Sequence, residues 1–463
     1  MALYEAGDFG RPVVGKEDAQ SADYRPPFVR DYGRIVHSAS FRRQQGKTQV
    51  FPGHESDFFR NRLTHSLEVS QIAEGIADRL NHEFHGQMEG SRIDGRLCAA
   101  AGLVHDIGHP PFGHNGERAL DEKMKEFGGF EGNAQTLRIL SRLEKKERYP
   151  KPVEGDDRAG MNLCYRTLAA VLKYDEPIPE KREKKDDLAK GYYLSEQFIV
   201  DEIKKKLLRG TEQPKTGEFK TLECAIMDLA DDIAYSVYDL EDSLKAGFLT
   251  PSAILASDEG VLAAVAKRVG KALKREFTSS EVLGTLVDVF DGIGPGSDDD
   301  TGDALVDFIA ATKRSKVLST DAYRRTKLSS SLVHEFIKGV KFEYKADCPA
   351  LSKVWFDEDT HRKVEVLKRY TYNAIINSSR VKLGEYRGTQ LVSDLFDALD
   401  SKEREGHMLM PDDVRQRYLD HAGDRAKEAR TICDFIAGMT DRYAVEFWAR
   451  LNSDTGESMF KDV

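Results

Sequence analysis

The chain has 463 residues, of which 40% are hydrophobic and 9% aromatic, a composition typical of one large or two ordinary globular domains. Its net charge of −10 argues against a protein that coats nucleic acid, because such proteins set clustered Lys and Arg against many phosphates. The sequence shows neither an apolar leader nor an apolar run long enough to span a bilayer, so we expect neither export nor membrane insertion. Five cysteines without a CxxC pair are typical of reduced thiols, and we expect a cytoplasmic location.

Basic residues concentrate between Arg25 and Arg62, in the stretches RPPFVRDYGR, FRRQQGK and FFRNR. Two interpretations of this segment stay open. It is either an ordinary exposed basic face or a local surface that binds a small anionic substrate. The overall negative charge does not decide between them, since binding a small anion needs only local positive charge.

Most of the chain predicts helix, because apolar residues recur at spacings of three and four and alternating strand patterns are scarce. The first strong helix is LTHSLEVSQIAEGIADRL, whose apolar stripe begins at His65 and runs to Leu80. A second helix, RLCAAAGLV, continues into HDIGHPPFGH, where Gly108 and two prolines must end it. His105 and Asp106 are therefore predicted at a helix C-terminal end.

The third strong helix is TLECAIMDLADDIAYSVYDLEDSLKAG. Asp231 and Tyr235 are four residues apart and share one face of it, whereas Asp232 points about 100° away. Two stretches predict exposed loops, the charged segment 177–190 and the segment 292–303, which is rich in Gly and Asp. An EF-hand interpretation of the second stretch fails, because no closing Glu follows at the required spacing.

Three of the twelve histidines lie within ten residues, in HDIGHPPFGH. A lone histidine is more often a hydrogen-bonded core or surface residue than a ligand, but several imidazoles beside a carboxylate are what a borderline divalent ion binds. Further ligands must come from elsewhere, and His65 and the pair Asp231-Asp232 lie in apolar helices, where an unpaired carboxylate is costly. The order H…HD…D on three predicted helices is a much stronger signal than the HD dipeptide alone.

The segments NRLTHSLEV, LVHDIGHPPFGHNGE and LADDIAYSVYDLED together resemble the HD superfamily, and closely the bacterial deoxyguanosine triphosphate triphosphohydrolases. FRRQQGKTQVFPG is a fourth match, and TICDFIAGMTDRYAVEF resembles the tail of the same family. The resemblance implies an all-α fold, with an HD-domain catalytic core at 1–250 and a helical C-terminal region at 251–463 that packs on the core and completes the nucleotide pocket. It also implies metal-dependent hydrolysis of a deoxynucleoside triphosphate (dNTP), with dGTP preferred, to deoxynucleoside and inorganic triphosphate.

The resemblance further implies which residues form the site. One divalent ion, Mn²⁺, Mg²⁺ or another transition metal, would be held by His65, His105, Asp106 and Asp231. Asp231 is preferred to Asp232 because the family places its ligand aspartate four residues before a tyrosine that faces the substrate. Substrate contacts would come from Arg62, Gln44, Arg43, Lys47, Tyr235 and Asp239.

His114 and Glu117 resemble the catalytic pair of the family, with His109 as a further contact on the phosphate side. A second interpretation of the pair stays open, namely a helix N-terminus capped by Asn115 with Glu117 in its first turn. The chain also departs from some relatives, which carry a further histidine shortly after this block. Here GGFEGNAQTLRIL offers Glu131, Asn133 and Gln135 instead.

From the same resemblance we expect a dNTP substrate, a homo-oligomer, either tetramer or hexamer, and a nucleotide or single-stranded DNA as effector, without membrane association. Two other functions stay open. The first is an HD-type phosphohydrolase that acts on another nucleotide, and the second is an HD-derived nucleotide sensor without catalysis. The sequence does not locate an effector site.

Overall fold

The computed structural model describes residues 2–14, 24–49, 60–88, 90–183, 185–212, 214–247, 249–291, 321–376 and 379–452. Helices dominate this part of the chain, which confirms the predicted all-α class. Its strands form two small antiparallel sheets, β1 (Arg148–Val153) with β2 (Asp156–Arg158) and β3 (Val340–Glu343) with β4 (Lys353–Phe356).

The helices before residue 250 are α1 (Ala6–Phe9), α2 (Pro27–Val36), α3 (Ala39–Arg43), α4 (Arg62–Glu83), α5 (Gly95–Val104), α6 (His114–Met124), α7 (Gly132–Arg138), α8 (Tyr165–Ala169), α9 (Gln197–Leu208) and α10 (Leu222–Lys245). Those after it are α11 (Pro251–Leu255), α12 (Glu259–Leu273), α13 (Ser279–Asp291), α14 (Ala322–Lys338), α15 (Glu358–Ile376), α16 (Ser379–Asp400), α17 (Asp412–Asp420), α18 (Arg425–Ala437) and α19 (Asp441–Asn452). Short 3₁₀ segments lie at Gln44–Gly46, Leu194–Glu196, Pro349–Leu351 and Gly406–Leu409, and a π turn at Ile139–Leu143.

Helix α4 begins at a reciprocal cap. The Asn61 side chain accepts from the Thr64 amide at 3.0 Å, and the Thr64 hydroxyl accepts from the Asn61 amide at 3.1 Å. From there the predicted apolar stripe is fully buried, and it packs on α5 and α10. These three helices form the centre of the core. Helix α4 carries His65, α10 carries Asp231, and His105 and Asp106 follow directly after α5.

A glycine sets the distance between α4 and α5. A Cβ atom at Gly102 would lie 2.7 Å from the backbone nitrogen and Cα of Ser70, closer than real Cβ atoms approach. Only a residue without a side chain lets the two helices approach this closely. The approach brings the first turn of α4 beside the C-terminal end of α5.

The region after residue 250 joins the core in two places. Residues of α12 to α15 share one apolar cluster with α4 and α10, and residues of α16, α18 and α19 form a second cluster with α6 and Phe130. The sequence-based boundary at 250 therefore falls inside an apolar cluster that draws residues from both sides. The division into two domains stays a prediction.

The two longest predicted helices lie where the sequence indicated, although the third ends at Lys245, two residues before the expected stop at Gly247. In segment 177–190 the described residues form neither a helix nor a strand, as expected of a loop. The loop predicted at 292–303 lies outside the described residues.

Candidate active site and metal centre

Helices α4, α5 and α10 bring four potential metal ligands together. His65 lies in the first turn of α4, His105 and Asp106 follow α5, and Asp231 lies on α10. The His65 Nε2 atom lies 3.1 Å from Asp231 Oδ1, and His105 Nε2 lies 3.5 Å from both Asp231 Oδ1 and Asp106 Oδ1. The two imidazole rings are 5.4 Å apart between centroids.

The donor set fits a divalent cation. Two imidazole nitrogens and two carboxylates are ligands that borderline metals accept, and His65, His105 and Asp106 can each direct one donor atom to a common point. His105 Nδ1 is 2.8 Å from the Gly102 carbonyl, a contact that makes Nδ1 the protonated nitrogen. Its Nε2 is buried without a hydrogen-bond partner and faces the carboxylates. A metal ion would satisfy that nitrogen.

Electrostatics at this cluster favour a cation. Burial opposes charge on His105, but Asp106 and Asp231 outweigh it and raise the pKa of the imidazole to about 9. Burial likewise opposes ionisation of Asp231, but His105 and His65 hold its pKa below the usual range. The carboxylates are therefore ionised at neutral pH and attract positive charge, whether from a proton on His105 or from a bound metal ion.

Arg62 approaches the cluster from the start of α4. Its Nη1 donates to Asp106 Oδ2 at 2.5 Å, while its Nε is buried without a hydrogen-bond partner. The guanidinium is thus only partly used by the protein. A planar donor group with spare capacity suits recognition of phosphate.

His114 is the first residue of α6, and its Nδ1 lies 2.9 Å from Oε2 of Glu117. The imidazole is 72% exposed, whereas Glu117 is buried and its Oε1 accepts from the Gly132 amide at 2.7 Å. Burial raises the pKa of Glu117, but His114 and His109 outweigh it and lower the pKa to about 2. Gly113, with no capping side chain, occupies the N-cap, so the predicted cap by Asn115 is wrong, whereas Glu117 does lie in the first turn of this helix.

His109 connects the His114–Glu117 pair to the four potential metal ligands His65, His105, Asp106 and Asp231, here called the ligand cluster. Its ring centroid is 5.2 Å from that of His114, and its Nδ1 lies 3.2 Å from Asp106 Oδ1. Burial and the nearby Arg62 lower its pKa to about 3, so the imidazole is neutral at physiological pH. A single stretch of chain thus presents two of the four potential ligands, His105 and Asp106, beside the candidate proton-transfer groups.

On α10 the substrate-side candidates continue the face of Asp231. Burial and Asp242 raise the pKa of Asp239 well above its usual range, which favours the protonated form of this carboxyl group. Burial also raises the pKa of Tyr235, which keeps its hydroxyl protonated. Asp232 lies off this face and pairs with Lys368 of α15.

The basic segment between Arg25 and Arg62 contains further residues predicted to contact the substrate, and they lie around the start of α4. The Gln44 amide donates to Ser66 Oγ at 3.1 Å, and Arg43 Nη2 donates to Ser40 Oγ at 2.8 Å. Lys47 is buried, and its ammonium donates to backbone carbonyls of His109 and Ala437 at 2.6 and 2.8 Å.

Burial, Arg43 and Arg62 lower the pKa of Lys47 to about 7. The Lys47 amine already has two hydrogen-bond partners within the protein, the carbonyls of His109 and Ala437. The role of Lys47 as a substrate contact stays a prediction.

Sequence reasoning missed several polar residues that complete the site. Thr136 on α7 binds the carbonyl of His105 and the amide of Gly108, and Asp441 on α19 accepts from the amide of Phe112. Lys173 pairs with Asp228 at 2.9 Å and acts electrostatically on Asp231. Of these residues, only Lys173 carried a signal, since it interrupts the apolar stretch AAVLKY.

The family comparisons agree with this geometry. A family model described as the HD domain matches residues 62–236, and one described as a phosphohydrolase-associated domain matches residues 354–450. Both the ligand cluster and the His114–Glu117 pair lie within the first match. The fold and the site define an HD-domain phosphohydrolase.

The chain is 55% identical to deoxyguanosinetriphosphate triphosphohydrolase-like protein 2 of Mesorhizobium japonicum, over 100% of both chains. It is 33% identical to the deoxyguanosinetriphosphate triphosphohydrolase-like protein of Shewanella sediminis, over 96% of each. With the protein of the same name from Aliivibrio fischeri the identity is 34%, over 95% of this chain and 96% of that one. The chain belongs to this deoxyguanosinetriphosphate triphosphohydrolase-like family, which confirms the resemblance found in the sequence.

The described helices include none that is both long and apolar enough to cross a membrane.

Proposed function

We propose that this protein hydrolyses deoxynucleoside triphosphates, dGTP preferentially, to deoxynucleoside and inorganic triphosphate. One observation carries the proposal. The ligand cluster and the His114–Glu117 pair are joined through His109, whose Nδ1 lies 3.2 Å from Asp106 Oδ1. A phosphate bound at the cluster would therefore lie beside a group able to transfer a proton. The names of the relatives support the choice of dNTP.

The metal would be held by His65, His105, Asp106 and Asp231, and Mn²⁺ and Mg²⁺ are the first candidates. When bound, such an ion polarises phosphoryl oxygens and lowers the pKa of a coordinated water. Asp106 also fixes Arg62, so the guanidinium is positioned next to the place where the phosphates would bind. Arg62 then neutralises charge on the triphosphate.

His114 transfers the proton in this proposal. Glu117 holds its Nδ1, so Nε2 is the nitrogen free to exchange a proton with the substrate or with water. Glu117 is itself fixed by the Gly132 amide, and its low pKa keeps it ionised as an acceptor. Neutral His109 contributes a hydrogen bond on the phosphate side.

Tyr235 and Asp239 would face the sugar, since both continue the α10 face that carries Asp231. The raised pKa of Asp239 favours its protonated form, which can donate a hydrogen bond to a sugar hydroxyl, as an ionised carboxylate cannot. Gln44, Arg43 and Lys47 complete the proposed substrate contacts.

The test is a panel of the four dNTPs, singly and mixed, with Mn²⁺ or Mg²⁺ and with the inorganic product resolved by chromatography. Inorganic triphosphate with dGTP consumed fastest is the expected result, and a His105→Ala variant is the matched inactive control. Release of pyrophosphate or orthophosphate would identify an HD phosphohydrolase of another specificity. Binding of dNTP without turnover would identify a nucleotide sensor.

We extend the proposal to a cytoplasmic homo-oligomer whose activity responds to a nucleotide or to single-stranded DNA. The five buried cysteines, none of them in a disulfide, support the location. Sedimentation analysis and rate measurements with added effector test the other two points.

A further inference from the structure

The catalytic turn, residues 105–113, contains a strained backbone position. Phe112 has φ of +60°, in the left-handed region, and Gly113 follows with φ of +58°. This conformation is unfavourable for a residue with a side chain, whereas glycine adopts it freely. His114 comes directly after these two residues, so its position depends on the conformation of this part of the turn.

The C-terminal region supplies the group that holds Phe112. Asp441, the first residue of α19, accepts from the Phe112 amide through Oδ1 at 2.9 Å. Its other oxygen, Oδ2, accepts from the Thr48 amide at 2.8 Å and from the Thr48 hydroxyl. One carboxylate therefore fixes both the turn and the segment that leads towards α4.

Neighbouring contacts make this attachment rigid. Lys47 bridges the His109 carbonyl in the turn and the Ala437 carbonyl at the end of α18. A Cβ at Gly46 would lie 2.8 Å from Thr440, so residues 46–48 pack tightly against the start of α19. On the other side, a Cβ at Gly388 of α16 would lie 2.8 Å from the Cβ of Phe112, so the Phe112 side chain is also confined.

We propose that Asp441 is a positioning residue for catalysis: it holds Phe112 in its left-handed conformation so that His109 and His114 face the same phosphate. Asp441 touches neither the ligand cluster nor the His114–Glu117 pair in the described part of the chain, and it acts through the turn. The inference rests on the proposed function for its kinetic measurement. A second measurement is independent of substrate.

The kinetic test uses the strain itself. Asp441→Ala should lower kcat about 10–100-fold, since a displacement of about 1 Å in a reacting group has effects of that size, with KM changed much less. Adding Phe112→Gly to Asp441→Ala should recover at least about fivefold in kcat, because glycine reaches the required φ without help. Adding Phe112→Ala should recover nothing, because alanine loses the same ring but keeps the strain.

The substrate-independent measurement is hydrogen exchange of the peptide containing residues 110–116. Asp441→Ala should speed exchange at Phe112, whose amide loses its acceptor. Asp394→Ala is the control, since Asp394 accepts from Trp448 Nε1 at 2.8 Å and joins α16 to α19 without touching the turn. It should lower Tm while leaving both kcat and exchange in the turn unchanged.

Equal behaviour of the glycine and alanine double variants would overturn the proposal. So would an Asp441→Ala protein with a lowered Tm, a kcat within twofold of normal and unchanged exchange in the turn. If the unmodified protein hydrolyses no dNTP, the proposed function fails. In that case the exchange data decide whether Asp441 holds the turn.

Discussion

Two adjacent aspartates on α10 have different partners. Asp231 contacts both histidines of the ligand cluster, whereas Asp232 pairs with Lys368. Asp231→Asn should therefore empty the metal site, and Asp232→Asn should leave the metal bound and reduce activity less, since losing a ligand removes affinity and geometry together. Metal analysis of both purified variants checks this. The reverse ranking would show that Asp232 is the ligand.

The exposed imidazole of His114 provides a second single-residue test. His114→Ala should lower kcat by roughly 10²–10⁴, the usual loss for a general acid or base, while metal content and Tm stay close to normal. The ring is largely in solvent, so its removal creates no cavity in the core. A folded, metal-loaded variant with near-normal kcat would exclude proton transfer by His114.

At the scale of helices, the close contact between α4 and α5 sets the distance between the proposed ligands His65 and His105. Gly102→Ala should cost roughly 1–3 kcal/mol and weaken metal binding, because the new Cβ forces apart the helices that carry His65 and His105. Gly284→Ala in α13 is the control, since a Cβ there meets nothing within 4 Å and the change should be neutral or slightly stabilising. Thermal melts and metal titrations of both variants measure the two effects. Unchanged metal affinity in Gly102→Ala would refute the link.

Helix α7 contributes a pH dependence of stability. Burial and the nearby Glu117 raise the pKa of Glu131, the N-cap of α7, to about 7. The folded state therefore holds this proton more tightly than the unfolded state. The resulting stabilisation is complete below the unfolded pKa of about 4.3 and is lost as pH rises through about 7.

Glu131→Gln, which cannot ionise, should flatten the decline of the urea midpoint between pH 5 and 8. Glu154→Gln, on the exposed turn between β1 and β2, should leave the decline as it is. An unaltered decline in Glu131→Gln would mean that another group titrates.

The sequence predicted the elements whose pattern is local. Helices α4 and α10 have long apolar stripes, so the sequence predicted both. Gly108 and the two prolines after it must end α5, so the sequence also predicted that His105 and Asp106 lie at the end of that helix. Thr136 and Asp441 could not be found in this way. Each binds backbone atoms of the catalytic turn from far along the chain, and no local periodicity records such a contact.

At the scale of the whole molecule, the proposed metal should stabilise the fold, because its four proposed ligands come from three segments of the core. A ligand that binds only the folded state raises the free energy of unfolding by about 2.7 kcal/mol when its free concentration is a hundred times Kd. Addition of Mn²⁺ to chelator-treated protein should therefore raise Tm by several degrees. His105→Ala should show little or no rise. A rise of the same size in that variant would place the stabilising ion elsewhere.

The attachment of the catalytic turn to Asp441 has a consequence for biosynthesis. A ribosome makes residues 62–236, with every proposed metal ligand and the His114–Glu117 pair, long before it reaches Asp441. Domains generally fold as the chain emerges, N-terminal parts first. A nascent chain can thus assemble the ligand cluster while Phe112 still lacks its acceptor. If both proposals hold, turnover at the full rate would begin only after translation has delivered Asp441.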